Sequence, residues 1–140
     1  MTNPIFYGIL RYNQEREKMT TYVSESSPNV LTGIGKMKSA MVDDYKLFMP
    51  PTESDITAKM NEDYANSFEV KYGSKYIKIL SGSGFRPSVT AFIVGTDKDK
   101  KFKLGDILKP AGYAAPARNA ARGNVLDGDY SINWTGPMYL

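Results

Sequence analysis

Two stretches of this chain repeat apolar residues at three- and four-residue steps, the spacing that places them on one face of an α-helix. The first stretch runs from Val30 to Phe48, and its apolar face would collect Ile34, Met37, Met41, Tyr45 and Phe48. Pro50 and Pro51 stop that helix, and Ile56, Met60 and Tyr64 then repeat at four-residue steps. The pattern therefore predicts two amphipathic helices in the N-terminal half of the chain.

Beyond Phe68 the apolar period changes to two, which is typical of β-strands. Residues 68–80 have the pattern of a hairpin with Gly73 and Ser74 at its turn, and residues 88–94 form a strongly β-prone run. Residues 101–109 supply one or two more short strands, and residues 130–140 supply a last strand anchored by Trp134. Successive strands of this kind predict an antiparallel meander.

The alanine-rich residues 114–123 have a third pattern. Pro116 fits the first turn of a short helix, and Gly123 could end it. Arg118 and Arg122 would then share one helical face, because they are four residues apart. We therefore predict a short C-terminal helix.

Together the elements predict an α+β fold, in which an antiparallel sheet, a meander of about four to six strands, is joined by two N-terminal amphipathic helices and the short C-terminal helix. A chain of 140 residues has the usual length of one domain. We divide it into residues 1–51, an N-terminal apolar segment and helix that could be an appendage, and residues 52–140, an α+β core domain.

Composition removes most catalytic chemistry, because the sequence contains no cysteine and no histidine. Thiolate nucleophiles, imidazole bases and zinc sites built from sulfur or imidazole ligands are thereby excluded. Carboxylate-only enzymes survive in principle, but no spacing of Asp and Glu favours one. We expect a protein that is not an enzyme and has no cofactor and no metal.

The hydropathy pattern gives no sign of a membrane protein. Residues 1–21 lack a basic start followed by a secretory apolar run, and no stretch approaches the roughly 20 apolar residues of a membrane span. We therefore expect a cytoplasmic protein with no membrane partner.

The net charge of +3 hides an asymmetry along the chain. Between Phe68 and Leu126 there are 11 basic and 4 acidic residues, a net charge of +7, and the remainder of the chain has a net charge of −4. A segment this basic attracts phosphates at long range and releases counterions from nucleic acid on binding. The run of residues 96–101, which resembles a hairpin tip, has the simpler interpretation of a solubilising surface.

The basic segment also carries aromatic residues on its predicted strands, the combination that single-stranded nucleic-acid binders use for phosphates and bases. The candidate nucleic-acid-binding residues are Lys71, Tyr72, Lys75, Tyr76, Lys78, Arg86, Lys109, Tyr113, Arg118, Asn119 and Arg122. Two structural alternatives stay open. The tyrosines could pack within the fold, and Arg118 and Arg122 could pair with Asp127, Asp129 or backbone carbonyls.

A succession of five segments, spread over roughly residues 68–140, carries a resemblance to known proteins. The segments are Lys-Tyr-Ile-Lys-Ile at residues 75–79, Ser-Val-Thr-Ala-Phe-Ile at 88–93, Gly-Asp-Ile-Leu-Lys-Pro-Ala at 105–111, Ala-Pro-Ala at 115–117 and Ala-Arg-Gly-Asn at 121–124. In this succession the chain resembles small, mostly uncharacterised proteins of tailed bacteriophages. Its strand order with basic hairpins is also similar to Whirly-type single-stranded nucleic-acid-binding domains, among them an RNA-binding protein of nucleus-forming jumbo phages. The resemblance implies a phage protein that binds RNA or single-stranded DNA in the infected bacterial cell.

One alternative function belongs to a different class. The apolar N-terminal third and the irregular residues 20–32 would also suit a protein–protein interaction module, either a virion component or an inhibitor of a host defence system. A homo-oligomer and a host or phage protein partner are further open possibilities.

Overall fold

The computed structural model of the protein describes residues 21–82 and 87–138. The predicted apolar segment near the N terminus and Arg86 lie outside these residues. The elements in chain order are β1 (Thr21–Val23), α1 (Val30–Phe48), α2 (Asp55–Ala65), β2 (Glu69–Tyr72), β3 (Tyr76–Ser81), β4 (Ser88–Val94), β5 (Ile107–Leu108), β6 (Tyr130–Asn133) and β7 (Gly136–Pro137). The α+β class is therefore confirmed.

Both predicted amphipathic helices are present, and each begins at a polar cap. The Asn29 side chain accepts a hydrogen bond from the N–H of Thr32 at 2.8 Å, which satisfies one of the open donors of α1. At the start of α2, Ser54 and Thr57 exchange side-chain and backbone hydrogen bonds in a capping box. Local sequence thus fixes where both helices begin.

The predicted meander is a four-stranded antiparallel sheet with the strand order β2-β3-β4-β5. The hairpin of β2 and β3 pairs Lys71 with Lys78 and Tyr72 with Ile77. A register shift between Ile79 and Leu80 marks a bulge where β3 pairs with β4. Residues 101–109 contribute only the two-residue strand β5.

A second antiparallel sheet, which the sequence pattern did not predict, has the strand order β1-β6-β7. The predicted last strand is a hairpin instead, because the chain turns at Trp134 and Thr135 and returns as β7. Strand β1 comes from the other end of the described chain and pairs Thr21 with Ile132. The Asp44 carboxylate on α1 ties these parts together, since it accepts hydrogen bonds from the Thr21 hydroxyl and the Trp134 N–H.

The main core lies between α1 and the inward faces of both sheets. It joins apolar residues of α1 to residues of β3, β4, β5 and β6: Ile34, Met37, Met41, Tyr45, Ile77, Ile79, Ile93, Ile107 and Ile132. At one end, the rings of Tyr45 and Tyr64 stack with their centroids 4.4 Å apart, and Trp134 meets Tyr45 edge-on at 5.2 Å. Helix α1 therefore shares one buried cluster with the strands that follow it.

The predicted C-terminal helix is wrong, because residues 117–125 run in an extended path beside residues 105–109. The N–H groups of Ala117, Arg122 and Val125 donate to the carbonyls of Lys109, Ile107 and Gly105. The open edge of β5 offers these partners, whereas a short isolated helix would be marginal even in an alanine-rich sequence. Gly123 has φ +145°, and a Cβ atom there would lie 2.6 Å from the Cβ of Tyr130. This glycine therefore shapes the extended path and does not end a helix.

Candidate nucleic-acid interface

The four-stranded sheet has an outer face that points away from α1. Residues that pair directly across antiparallel strands lie on the same face, and one such row is Lys71, Lys78, Phe92 and Leu108. Phe92 and Leu108 are buried there with Val94 and Phe102, in a small apolar cluster separate from the main core. The outer face of the sheet is thus apolar on β4 and β5 and carries lysines on β2 and β3.

An open cleft of about 310 Å³ lies on this face at the turn of the β2-β3 hairpin. We call it the lysine cleft. Its lining consists of residues of the hairpin, one residue of β4 and one of a later loop: Lys71, Tyr72, Gly73, Ser74, Lys75, Tyr76, Lys78, Phe92 and Ala114. The short Gly73-Ser74 turn therefore brings three lysines to one site.

Two of these lysines have no ion pair with any described residue, namely Lys71 and Lys78. The ammonium of Lys78 lies over aromatic rings, with its Nζ 3.9 Å from the ring centroid of Tyr113 and 5.8 Å from that of Phe92. A cation over a ring is attracted by the negative face of the π system but keeps its full charge. Both lysines can therefore offer their charge to an anion in the cleft.

The third lysine, Lys75, belongs to an ion-pair network around Asp99. The Asp99 side chain is only 1% exposed, and its Oδ2 lies 3.4 Å from Lys75 Nζ. Arg118 binds the same carboxylate through two hydrogen bonds of 3.0 Å and also donates to the Tyr76 hydroxyl. The Arg118 guanidinium carbon lies 4.9 Å from the ring centroid of Phe102. The network joins three separate loops beside the cleft.

The charges of this network stabilise one another. Hydrogen bonds from Arg118, and then from the backbone N–H groups of Phe102 and Lys101, hold the pKa of the Asp99 carboxyl well below its usual range. The Asp99 hydrogen bonds also raise the pKa of the Arg118 guanidinium. Asp99 is therefore ionised at any ordinary pH, and Arg118 is held in place as a structural cation.

The loop that borders the lysine cleft is a hairpin-like turn of residues 109–117, closed by an antiparallel bridge between Pro110 and Pro116. At its tip the N–H groups of Ala111 and Gly112 both donate to the carbonyl of Ala115, at 3.0 and 3.2 Å. Tyr113 sits at this tip with 60% of its surface exposed. The turn therefore holds an accessible tyrosine ring beside Lys78.

The remaining candidate residues lie outside this arrangement or at its rim. Tyr72 is 64% exposed, but its register partner is Ile77, so its side chain starts from the face opposite Lys71 and Lys78. Lys109 donates to the carbonyl of Pro137 at 2.8 Å, and burial followed by the charge of Arg122 lowers its pKa. Neither Lys109 nor Arg122 lines the lysine cleft.

Asn119 and Arg122 contact each other, with Arg122 Nη2 donating to Asn119 Oδ1 at 3.3 Å. The Nε and Nη1 atoms of Arg122 are buried without a hydrogen-bond partner among the described residues. Asp127 pairs with Lys103 at 2.8 Å. The carboxylate that holds Arg118 is that of Asp99, and not that of Asp127 or Asp129 as the sequence suggests.

Sequence reasoning missed Asp99 and Phe92. Asp99 lies in the run of residues 96–101, for which the charge pattern predicts only a solubilising surface, and no local spacing links it to Arg118, 19 residues away. The sequence pattern predicts that Phe92 lies in a strand, but it does not indicate on which face of the sheet the Phe92 side chain lies. The alternation of residues 88–94 could have placed Phe92 opposite Lys78 once the register of β3 and β4 was known.

Comparison with known proteins gives a family but no activity. A model of a family of unknown function, DUF7717, matches residues 10–139. The chain belongs to this family. No curated protein and no solved structure matches it. Within residues 21–82 and 87–138 of this DUF7717 member, no helix is long and apolar enough to cross a membrane, and no group of three or more acidic side chains could hold a metal ion.

Proposed function

We propose that this protein is phage-encoded and binds single-stranded nucleic acid, either RNA or DNA, at the lysine cleft. The observation that carries the proposal is the placement of Lys71 and Lys78, which have no ion pair among the described residues, beside aromatic rings on one sheet face. Lys75 adds a third ammonium that is half exposed and only partly neutralised by Asp99. The cleft therefore has a positive charge to offer.

The chemistry of a single nucleic-acid strand suits this arrangement. Its phosphates are attracted by lysines through a salt-dependent term that needs no base sequence, and its unpaired bases expose flat π faces. The cleft is open, and its aromatic border includes Tyr72 and Tyr76. The exposed ring of Tyr113 lies next to the cleft, against the ammonium of Lys78. A duplex would hide the bases that such a border contacts. The resemblance of residues 105–124 to tailed-phage proteins supports the phage origin in the proposal.

Fluorescence anisotropy with labelled oligouridine and oligothymidine, measured over a range of salt concentrations, tests the proposal. We expect the logarithm of the association constant to fall linearly with the logarithm of the salt concentration, by about 0.7 for each phosphate neutralised. The variants Lys71→Gln and Lys78→Gln should each weaken binding and reduce that slope by about 0.7. Comparison of the two oligomers distinguishes a preference for RNA from one for DNA.

Lys59→Gln is the matched control, because it removes the same charge from an exposed site on α2 that does not line the cleft. It should leave the slope unchanged. The proposal fails if neither oligomer binds at low salt, and it fails equally if the cleft variants lose no more affinity than Lys59→Gln. The first of these results would favour the protein–protein alternative.

A further inference from the structure

A second open cleft, of about 520 Å³, lies on the other side of the Tyr113 tip. Its lining includes Pro87 just before β4, Val89 within β4 and the turn from Pro110 to Tyr113, and none of the described residues that line it is charged. The volume falls within the range of about 300–1,000 Å³ that small-molecule sites occupy. We call this site the apolar cleft.

The two clefts are neighbours on the outer face. Tyr113 lines the apolar cleft and Ala114, the next residue, lines the lysine cleft. Strand β4 also contributes to both, with Val89 on one side and Phe92 on the other. A ligand that is anionic at one end and flat and uncharged at the other could therefore occupy both clefts at once.

The ring of Tyr113 is already held between them. Lys78 Nζ lies 3.9 Å from its centroid, and the backbone hydrogen bonds at Ala115 fix the turn that carries it. An ordered ring loses little conformational freedom when a second flat group stacks on it. The Lys78 ammonium that lies over the Tyr113 ring also lines the lysine cleft, which would hold a phosphate.

We propose that the apolar cleft is a nucleobase site, in which a base stacks on Tyr113 while Lys78 and Lys71 hold the adjoining phosphate. This inference rests on the proposed function, because it assigns the parts of one nucleotide to the two clefts. The charge separation carries it: ammonium groups line the lysine cleft, and proline, valine and tyrosine line the apolar cleft. Since every base has a π face, the site accepts bases without strong sequence preference.

Oligothymidine and an abasic deoxyribose-phosphate oligomer of equal length test the inference, because they have the same phosphates and differ only in their bases. The wild-type protein should bind oligothymidine on the order of tenfold to a hundredfold more tightly than the abasic oligomer. Tyr113→Ala should abolish this difference while the abasic oligomer keeps its affinity and its salt slope. Tyr113→Phe should retain the difference, because stacking needs the ring and not the hydroxyl.

Tyr22→Ala is the matched control, since Tyr22 is 55% exposed on β1 of the other sheet. It should retain the full preference for oligothymidine. If both oligomers bind equally in a salt-dependent manner, or if Tyr113→Ala weakens both to the same extent, the nucleobase site is refuted while the phosphate-binding function stands. If neither oligomer binds at low salt, the proposed function fails and the nucleobase site fails with it.

Discussion

Gly33 and Gly35 lie two residues apart in α1, and the same substitution at the two positions should change stability in opposite directions. A Cβ atom at Gly35 would meet no atom within 4 Å, because this residue faces solvent. A Cβ atom at Gly33 would overlap the carbonyl oxygen of Val125 and lie 2.8 Å from its Cβ. The two variants Gly33→Ala and Gly35→Ala thus differ in what the added methyl group touches.

The magnitudes follow from two opposing effects. Alanine in place of glycine stabilises a helix by up to about 1 kcal/mol, so Gly35→Ala should raise the free energy of unfolding by roughly 0.5–1 kcal/mol. At Gly33 the same gain is outweighed by overpacking, which costs about 1–3 kcal/mol or more. Val125 cannot easily retreat, because its N–H is bound to the carbonyl of Gly105 at 2.9 Å. We expect Gly33→Ala to lower the free energy of unfolding by about 1–2 kcal/mol.

Urea denaturation provides the measurement, with far-UV circular dichroism and the fluorescence of Trp134, the single tryptophan, as probes. With a slope of about 2 kcal/mol per molar urea, the midpoint should rise by roughly 0.3–0.5 M for Gly35→Ala and fall by roughly 0.5–1 M for Gly33→Ala. Equal stabilisation by both variants would refute the close approach of α1 to Val125 and the packing argument that depends on it.

Three further predictions concern buried and paired polar groups. Tyr64→Phe should lower the free energy of unfolding by about 1–2 kcal/mol, because the Tyr64 hydroxyl donates to the backbone carbonyl of Trp134 at 2.7 Å. Tyr130→Phe should be neutral or stabilising, because the Tyr130 hydroxyl is buried with no hydrogen-bond partner among the residues that the structure describes. Equal losses of stability for the two variants in urea titrations would contradict this. Burial raises the pKa of the Asp44 carboxyl, so the folded state holds the carboxyl proton more tightly than the unfolded state does. The contribution of Asp44 to the free energy of unfolding should therefore grow as the pH falls towards about 4. Asp44→Asn should remove this pH dependence, so in thermal unfolding the stability of the wild type should rise relative to that of Asp44→Asn as the pH falls from about 7 to about 4. A difference between the two proteins that does not vary with pH would rule this out. Asp99→Asn should loosen the turn of residues 109–117, seen as faster amide hydrogen exchange there, and unchanged exchange would show that the ion-pair network does not hold this turn.

Part of the candidate site could be predicted from the sequence because it is local. Lys71, Lys75 and Lys78 reach one cleft through a four-residue strand, a short turn and the next strand, and the period-two pattern is enough to indicate that hairpin. The face of the sheet on which Tyr72 lies follows from the register of the hairpin alone, which pairs Tyr72 with Ile77. Tyr113 arrives from a distant turn, and nothing in its own neighbourhood specifies that it lies against Lys78.

The sequence by itself determined the two helices, their polar caps and the β2-β3 hairpin, because residues within four or five positions of each other decide these elements. Only the tertiary structure decided that β1 pairs with β6, since Thr21 and Ile132 are more than a hundred residues apart. It also decided that residues 117–125 lie along the edge of β5. Their helical pattern is a weak local preference, and the hydrogen bonds offered by a sheet edge override it.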